Sequence, residues 1–219
     1  MWNALDGRVV AGAAIAPGGQ RLAFAVQRRG VTQLYVINAD GTGAHRVAAE
    51  LDVRGAPAWS PDGQWLAAAA HRDGEPQLFK IPADGGPAAL LVPDYSTDPV
   101  WAPSGKFLVY SGADVGTTFP VKAVNADGTP RSLPPLILTR GARRLAFLHN
   151  DDVLVVLKGD ISHKQFWLVD LTTGRERQLT DLGRESVIGD FDVSADGRDI
   201  IFDRARAESD VVVFELRNR

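Results

Sequence analysis

The residue types that most often carry catalysis or metal binding are few and scattered in this chain. There is no cysteine, which excludes disulfides and thiolate ligands. The four histidines stand at 45, 71, 149 and 163, so no two have the close spacing of a metal-binding pair on one strand or helix. We interpret them as exposed loop histidines and predict neither a metal site nor a cofactor.

The motifs of nucleophilic and nucleotide chemistry are also missing. No serine has the Gly-x-Ser-x-Gly setting of a hydrolase nucleophile. Gly105-Lys106 does not complete a phosphate-binding loop, because Val100 stands where the first glycine is required. The acidic stretch 190–197 lacks the third alternating acid of a calcium loop, and no glutamate stands at the distance needed for a bidentate ligand. We therefore predict no catalytic residues and expect that the chain is not an enzyme.

Composition and charge narrow the class of protein further. The 219 residues are 45% hydrophobic and 23% charged, which is ordinary for a globular domain. The net charge of −3 argues against a nucleic-acid partner. The apolar runs are too short to cross a membrane, and residues 1–7 do not resemble a signal peptide. The compartment stays open: periplasmic for a mature exported protein, or cytoplasmic.

An internal repeat is the strongest pattern in the sequence. Its clearest copy is the turn Trp59-Ser60-Pro61-Asp62-Gly63, and related copies end at residues 19, 105, 151 and 197, giving spacings of 44, 42, 46 and 46. The copy that starts at Phe147 has lost the proline and the glycine of the turn. An apolar run follows each turn and is the candidate second strand of the repeat. The candidate third strand begins 14 to 16 residues beyond the turn, and in four copies an Asp-Gly or Thr-Gly turn follows it.

Short β-rich runs separated by such turns predict antiparallel strands. One four-stranded sheet cannot bury both of its faces, whereas sheets stacked radially bury them against each other. We therefore predict an all-β propeller of five four-stranded blades in a single domain. The expected repeats are 6–50, 51–93, 94–137, 138–183 and 184–219. The periodic aromatic residues should pack between blades: Trp59, Trp101, Phe147 and Trp167.

The strand count predicts how the ring closes. The last repeat ends after its third strand, and a shift by one period aligns Trp2–Leu5 with a fourth-strand position at 46–49. We predict that residues 1–5 form a closing strand beside Val211–Phe214, which would hide two sheet edges and make the protein a monomer. An open arc that associates through its end faces is the alternative.

The repeat resembles that of TolB-type β-propellers, in which an apolar-Ser-Pro-Asp-Gly turn precedes an apolar strand and a Gln-Leu-aromatic run. Residues 59–86 match it most closely, and Phe202–Leu216 is similar to the end of TolB-like propellers found downstream of bacterial kinase or winged-helix domains. The resemblance implies protein or ligand binding within a larger chain. Such propellers typically have six blades, whereas five are counted here.

One group of polar residues is a candidate binding site. Residues just before the first strand of each repeat should line the mouth of the central channel, where loops on a rigid scaffold often carry function. They are Gly12, Arg54, Asp98, Arg143, Arg144 and Asp190. Solvated rim residues in weak ion pairs are the alternative interpretation.

Three functions remain open at this point. A non-catalytic scaffold or sensor that binds a protein or a small polar ligand is favoured, because the repeat carries no catalytic constellation. A hydrolase or lyase that uses metal-held water in the central funnel is the second. A structural fragment of a larger propeller is the third.

Overall fold

The computed structural model describes residues 7–71, 74–139, 145–160, 163–183, 187–194, 197–203 and 205. Within them the regular structure is β-strand, in five antiparallel sheets that follow one another along the chain. This is the all-β blade architecture that the repeat predicts. No helix in the described part of the chain is long and apolar enough to span a membrane.

The first two blades show how the chain runs from the inner to the outer strand. Blade 1 contains β1 (Arg8–Val9), β2 (Ala14–Ile15), β3 (Arg21–Arg28), β4 (Val31–Asn38) and β5 (His45–Val47). Its inner strand is in two pieces, β1 and β2, which both pair with β3. Blade 2 contains β6 (Asp52–Trp59), β7 (Trp65–His71), β8 (Pro76–Pro82) and β9 (Ala89–Val92) in sequential order.

The later blades repeat the same order. Blade 3 contains β10 (Thr97–Trp101), β11 (Phe107–Ser111), β12 (Thr118–Asn125), β13 (Pro130–Arg131) and β14 (Ile137–Thr139), the last two both pairing with β12. Blade 4 contains β15 (Leu145–Phe147), β16 (Val153–Asp160), β17 (His163–Asp170) and β18 (Glu176–Gln178). Blade 5 is represented by β19 (Phe191–Val193) and β20 (Ile200–Phe202). The predicted closing pair, Trp2–Leu5 beside Val211–Phe214, lies outside the described residues.

One hydrogen bond defines the turn between the first and second strands in all five repeats. The second residue of each turn donates its backbone N–H to a carbonyl five residues later, at 2.8–3.0 Å; the donors are Ala16, Ser60, Ala102, Leu148 and Ser194. The turn after Phe147 therefore survives without its proline and glycine. There, Asn150 accepts a bond from the backbone N–H of Asp152, so a local side chain supports the turn.

Burial of both sheet faces explains the apolar composition of the second strands. Four apolar clusters lie between successive blades, and a fifth lies on the other face of blade 1. In β7, the four alanines Ala67–Ala70 are fully buried, which leaves room for large side chains from the neighbouring blades. Trp59, Trp101 and Phe147 are 7–8% exposed and fill three of these interfaces as predicted. Trp167 packs between blades 3 and 4 but is only half-buried.

Candidate functional site

The two ends of the blades differ in what they expose. The turn face carries the turns between first and second strands together with the Asp-Gly and Thr-Gly turns, which are joined by backbone bonds such as Ala83 N–H to Gln64 O at 2.9 Å. The opposite end, which we call the mouth, is where the first strands begin. First strands of successive blades lie side by side, so their starting residues converge there.

Bulges interrupt the first strands of blades 2 and 3 near the mouth. The pairing register shifts between Arg54 and Ala58 in β6 and between Thr97 and Val100 in β10. In each case the residue that opens the bulge is left-handed: Gly55 has φ of 74° and Asp98 has φ of 52°. A β-bulge re-aims side chains locally, and bulges concentrate at rims and binding sites. Two bulges of unequal length therefore shape this end of the molecule, with residues 55–57 opposite Ala68 and residues 98–99 opposite Tyr110.

Asp98 is the most unusual of the candidate residues. A left-handed backbone is strained for any residue with a Cβ, although aspartate tolerates it better than most. The carboxylate is oriented locally, because Thr97 Oγ1 donates to Asp98 Oδ2 at 3.0 Å. A Cβ placed on Gly55 would lie 3.8 Å from Asp98 Oδ1, so the two bulges adjoin. The structure thus places the exposed Arg54–Gly55 segment next to Asp98, while the role of both residues in binding stays a prediction.

Asp190 occupies the corresponding place in blade 5. It is exposed, and its carboxylate accepts a bond from the backbone N–H of Phe191 at 2.8 Å. Asp203 holds the same segment by accepting bonds from the backbone N–H groups of Gly189 and Asp190, each at 2.7 Å. Gly12 of blade 1 is exposed between β1 and β2. Arg143 and Arg144 lie outside the described residues, so their predicted place at the mouth stays a prediction.

The histidines are more enclosed than the sequence suggested. Three of them are half-buried at strand ends, and only His149 is exposed; the three are His45, His71 and His163. The ring of His45 lies 3.0 and 3.1 Å from the carbonyl oxygens of Gly43 and Ala83, so it links blades 1 and 2. Among the described residues, no group of three or more potential metal ligands comes together.

The sequence did not predict an open groove on the turn face between blades 2 and 3. It has a volume of about 370 Å³ and is lined by Asp62, Trp65, Lys80, Trp101 and Gly105, among others. A hydrogen bond from the Ser60 hydroxyl, above all, lowers the pKa of Asp62 below its usual range. The sequence signal for this groove is Lys80, the one charged residue in the third strand of blade 2.

Comparison with known protein families identifies the family to which the chain belongs. The family model of the TolB beta propeller domain matches residues 4–143, which is more than half of the chain. The chain belongs to the TolB β-propeller family. Comparison with curated protein sequences gives no significant match.

Solved structures show the same fold at low sequence identity. TolB from Acinetobacter baumannii aligns with a TM-score of 0.63 and 16% identity, over 78% of this chain and 42% of that one. A chain of a nidogen–laminin complex aligns with a TM-score of 0.67 and 12% identity, over 90% and 72%. An acylaminoacyl peptidase of Pyrococcus horikoshii aligns with a TM-score of 0.57 and 14% identity, over 82% and 35%. The chain thus spans less than half of the Acinetobacter TolB.

Proposed function

We propose that this propeller is a non-catalytic binding module that recognises a protein, or a small polar ligand, at its mouth. The observation that carries the proposal is the pair of adjoining bulges, which hold Asp98 in a strained conformation beside Gly55 and Arg54. Strain of this kind costs about 1–3 kcal/mol and is found most often at functional sites. Gly55 also allows a partner's backbone to approach closely.

The proposed site residues are charged in a mixed pattern. Arg54 offers a planar guanidinium that suits a carboxylate, while Asp98 and Asp190 accept bonds from cationic or amide donors. Arg143 and Arg144 would extend the same surface. Alternating charge on a rigid rim gives specificity and faster association more than raw affinity. A protein partner is therefore the preferred ligand.

Two of the similar solved structures support the proposal of a protein partner. One neighbour is a TolB protein and another was solved in a nidogen–laminin complex, where a propeller-like chain belongs to a protein assembly. Low identity carries the fold alone, so the partners of those proteins are not transferred. We expect no nucleic-acid partner, in keeping with the net charge of −3, and no membrane insertion, because the apolar runs are too short to cross a membrane.

A hydrolase is the second candidate, because the peptidase of Pyrococcus horikoshii shares the fold. Metal-held water at the mouth would be one way to achieve hydrolysis. Metal analysis of the purified protein separates the two functions. A stoichiometric metal that is lost together with a hydrolytic activity would favour the enzyme, whereas a binding module needs neither.

Charge reversal tests the binding site directly. The binding partner would first be isolated by affinity purification with the intact protein, and its Kd would then be compared for wild type, Arg54→Glu and Asp190→Arg. We expect each change to weaken binding at least tenfold. Arg54→Glu should alter the free energy of unfolding by less than about 0.5 kcal/mol, and Asp190→Arg by about 0.5–1.5 kcal/mol because it also loses the bond from the Phe191 N–H. Unchanged affinity in both variants would place the site elsewhere.

A further inference from the structure

Two equivalent grooves on the turn face differ in what fills them. In the groove between blades 1 and 2, Arg21 lies with its guanidinium carbon 5.0 Å from the ring centroid of Trp59. Its Nη1 donates to Asp84 Oδ1 at 2.6 Å, and its Nη2 donates to the carbonyl oxygen of Gly63 at 2.5 Å. The first groove is therefore a complete guanidinium site that the chain occupies with its own arginine.

The groove between blades 2 and 3 has the same acceptors without the arginine. Repeat positions place Trp101, Gly105 and Asp127 where the first groove has Trp59, Gly63 and Asp84. The position of Arg21, two residues beyond the turn, is taken by Trp65. Within the described part of the chain, no donor reaches the carbonyl oxygen of Gly105 as Arg21 reaches Gly63. The unfilled space is the groove of about 370 Å³.

Lys80 supplies one positive charge to this second groove but does not replace the guanidinium. Its ammonium lies 4.3 Å from the ring centroid of Trp65 and donates to Ala126 O at 3.1 Å, while the Trp101 centroid is 5.9 Å away. Asp62 lines the groove, and Asp127 is near enough to Lys80 for the ammonium charge to lower its pKa; these two carboxylates carry the opposite charge. The net charge of Lys80, Asp62 and Asp127 together is −1, which favours a cationic ligand.

The lowered pKa values of Asp62 and Asp127 keep both carboxylates negatively charged. A hydrogen bond from the Ser60 hydroxyl lowers the pKa of Asp62, and one from the Thr129 hydroxyl lowers the pKa of Asp127; the nearby Lys80 charge adds to both effects. Both side chains are thus ionised at neutral pH. A guest guanidinium would meet an aromatic face, a carbonyl oxygen and a carboxylate, as Arg21 does one blade earlier.

We propose that the groove between blades 2 and 3 binds an arginine side chain of a partner protein, stacked on Trp101 and donating to Gly105 O and Asp127. This site is at the opposite end of the blades from the mouth and does not depend on the function proposed there. A partner could therefore contact the propeller at the mouth, at this groove or at both.

The test uses N-acetyl-arginine amide as a probe and the intact chain. The indole N–H signals of the tryptophans report binding in a two-dimensional NMR titration. We expect a saturable shift of the Trp101 signal with a millimolar Kd, because one side chain makes few contacts. N-acetyl-norleucine amide and acetate should leave the signal in place. A shift with acetate but not with the arginine probe would identify an anion site on Lys80 and overturn the proposal.

Matched variants locate the binding. Asp127→Asn should raise the Kd at least fivefold, whereas Asp84→Asn, the same change in the filled groove, should leave it unaltered. Lys80→Met should tighten binding severalfold, because it removes a like charge from the groove. Equal effects of the two aspartate variants, weaker binding in Lys80→Met, or no saturable shift at all would each contradict the site.

Discussion

At the scale of single residues, Trp59 shows what the repeated aromatic position does. It is 8% exposed, packs between blades 1 and 2, and donates from Nε1 to Ala14 O at 3.0 Å. We expect Trp59→Ala to lower the free energy of unfolding by about 3–5 kcal/mol, because it removes a large buried ring and leaves a cavity. Trp101→Ala should cost a similar amount, measured by denaturant unfolding.

A Trp59→Phe variant is the control, because it removes the hydrogen bond from Trp59 Nε1 to Ala14 O but keeps an aromatic ring. Trp59→Phe retains most of the apolar contact but leaves Ala14 O without its donor, so it should cost clearly less than the alanine variant. A loss below 1 kcal/mol in both alanine variants would mean that these rings do not seal the interfaces.

Acidic turn residues make the stability depend on pH. The hydroxyl of Thr42 lowers the pKa of Asp40, and the hydroxyl of Thr129 lowers that of Asp127, each through a hydrogen bond to the carboxylate. A lowered pKa in the folded state stabilises the fold above the unfolded value of about 3.9, and this stabilisation is lost as the pH falls through the folded values. We expect the double variant Asp40→Asn, Asp127→Asn to lose less stability than wild type between pH 5 and pH 2. Urea unfolding across that range would measure it, and equal losses would contradict the cause.

At the scale of elements, a glutamine at the start of the third strand fastens one blade to the connection that leads to the next. Gln165 donates to Leu182 O at 2.9 Å and accepts from Leu182 N at 2.7 Å and Thr180 Oγ1 at 3.0 Å. At the same repeat position, Gln77 has one side-chain bond to the described residues, donated to Pro93 O. In blades 2 and 4 this glutamine thus links the third strand to the segment that follows the fourth strand.

Because Gln165 forms more side-chain hydrogen bonds than Gln77, its replacement by alanine should lower the free energy of unfolding more. Gln165→Ala should cost about 1–3 kcal/mol, because it leaves the half-buried backbone groups of Leu182 without their partners, and Gln77→Ala about 1 kcal/mol. Thermal or denaturant unfolding would rank the two. The reverse order would show that the bonds around Leu182 do not hold blade 4 to its connection.

The same elements show how far the sequence predicts the structure. The pentapeptide Asn-Ala-Asp-Gly-Thr occurs at 38–42 and 125–129, and both copies form the same bonds from threonine to aspartate, at 2.9 and 2.7 Å. Such local turns follow from local sequence. The adjoining bulges at Gly55 and Asp98, and the groove around Lys80, depend on contacts between segments some 40 residues apart. Neither was visible in the repeat pattern of any one blade.

At the scale of the whole molecule, ring closure stays a prediction. Ile15 and Ile201 are each 67% exposed, although their counterparts in the inner blades, such as Trp59 and Ala67, are buried. A closed ring should bury both faces and elute as a monomer, and deletion of residues 1–5 should then cause association by baring a strand edge. Light scattering after size exclusion would show this. An obligate dimer unchanged by the deletion would favour the open arc.

Binding at the mouth is the central claim, and site-specific photo-crosslinking in cells of the native host tests it most directly. A photoreactive amino acid would replace Arg54, Asp190 or, as a control on the turn face, Asp84. The bulges at the inner strands predict the same adduct from positions 54 and 190 and none of that mass from position 84. An adduct that forms only from position 84, or none from either position at the mouth, would contradict the claim.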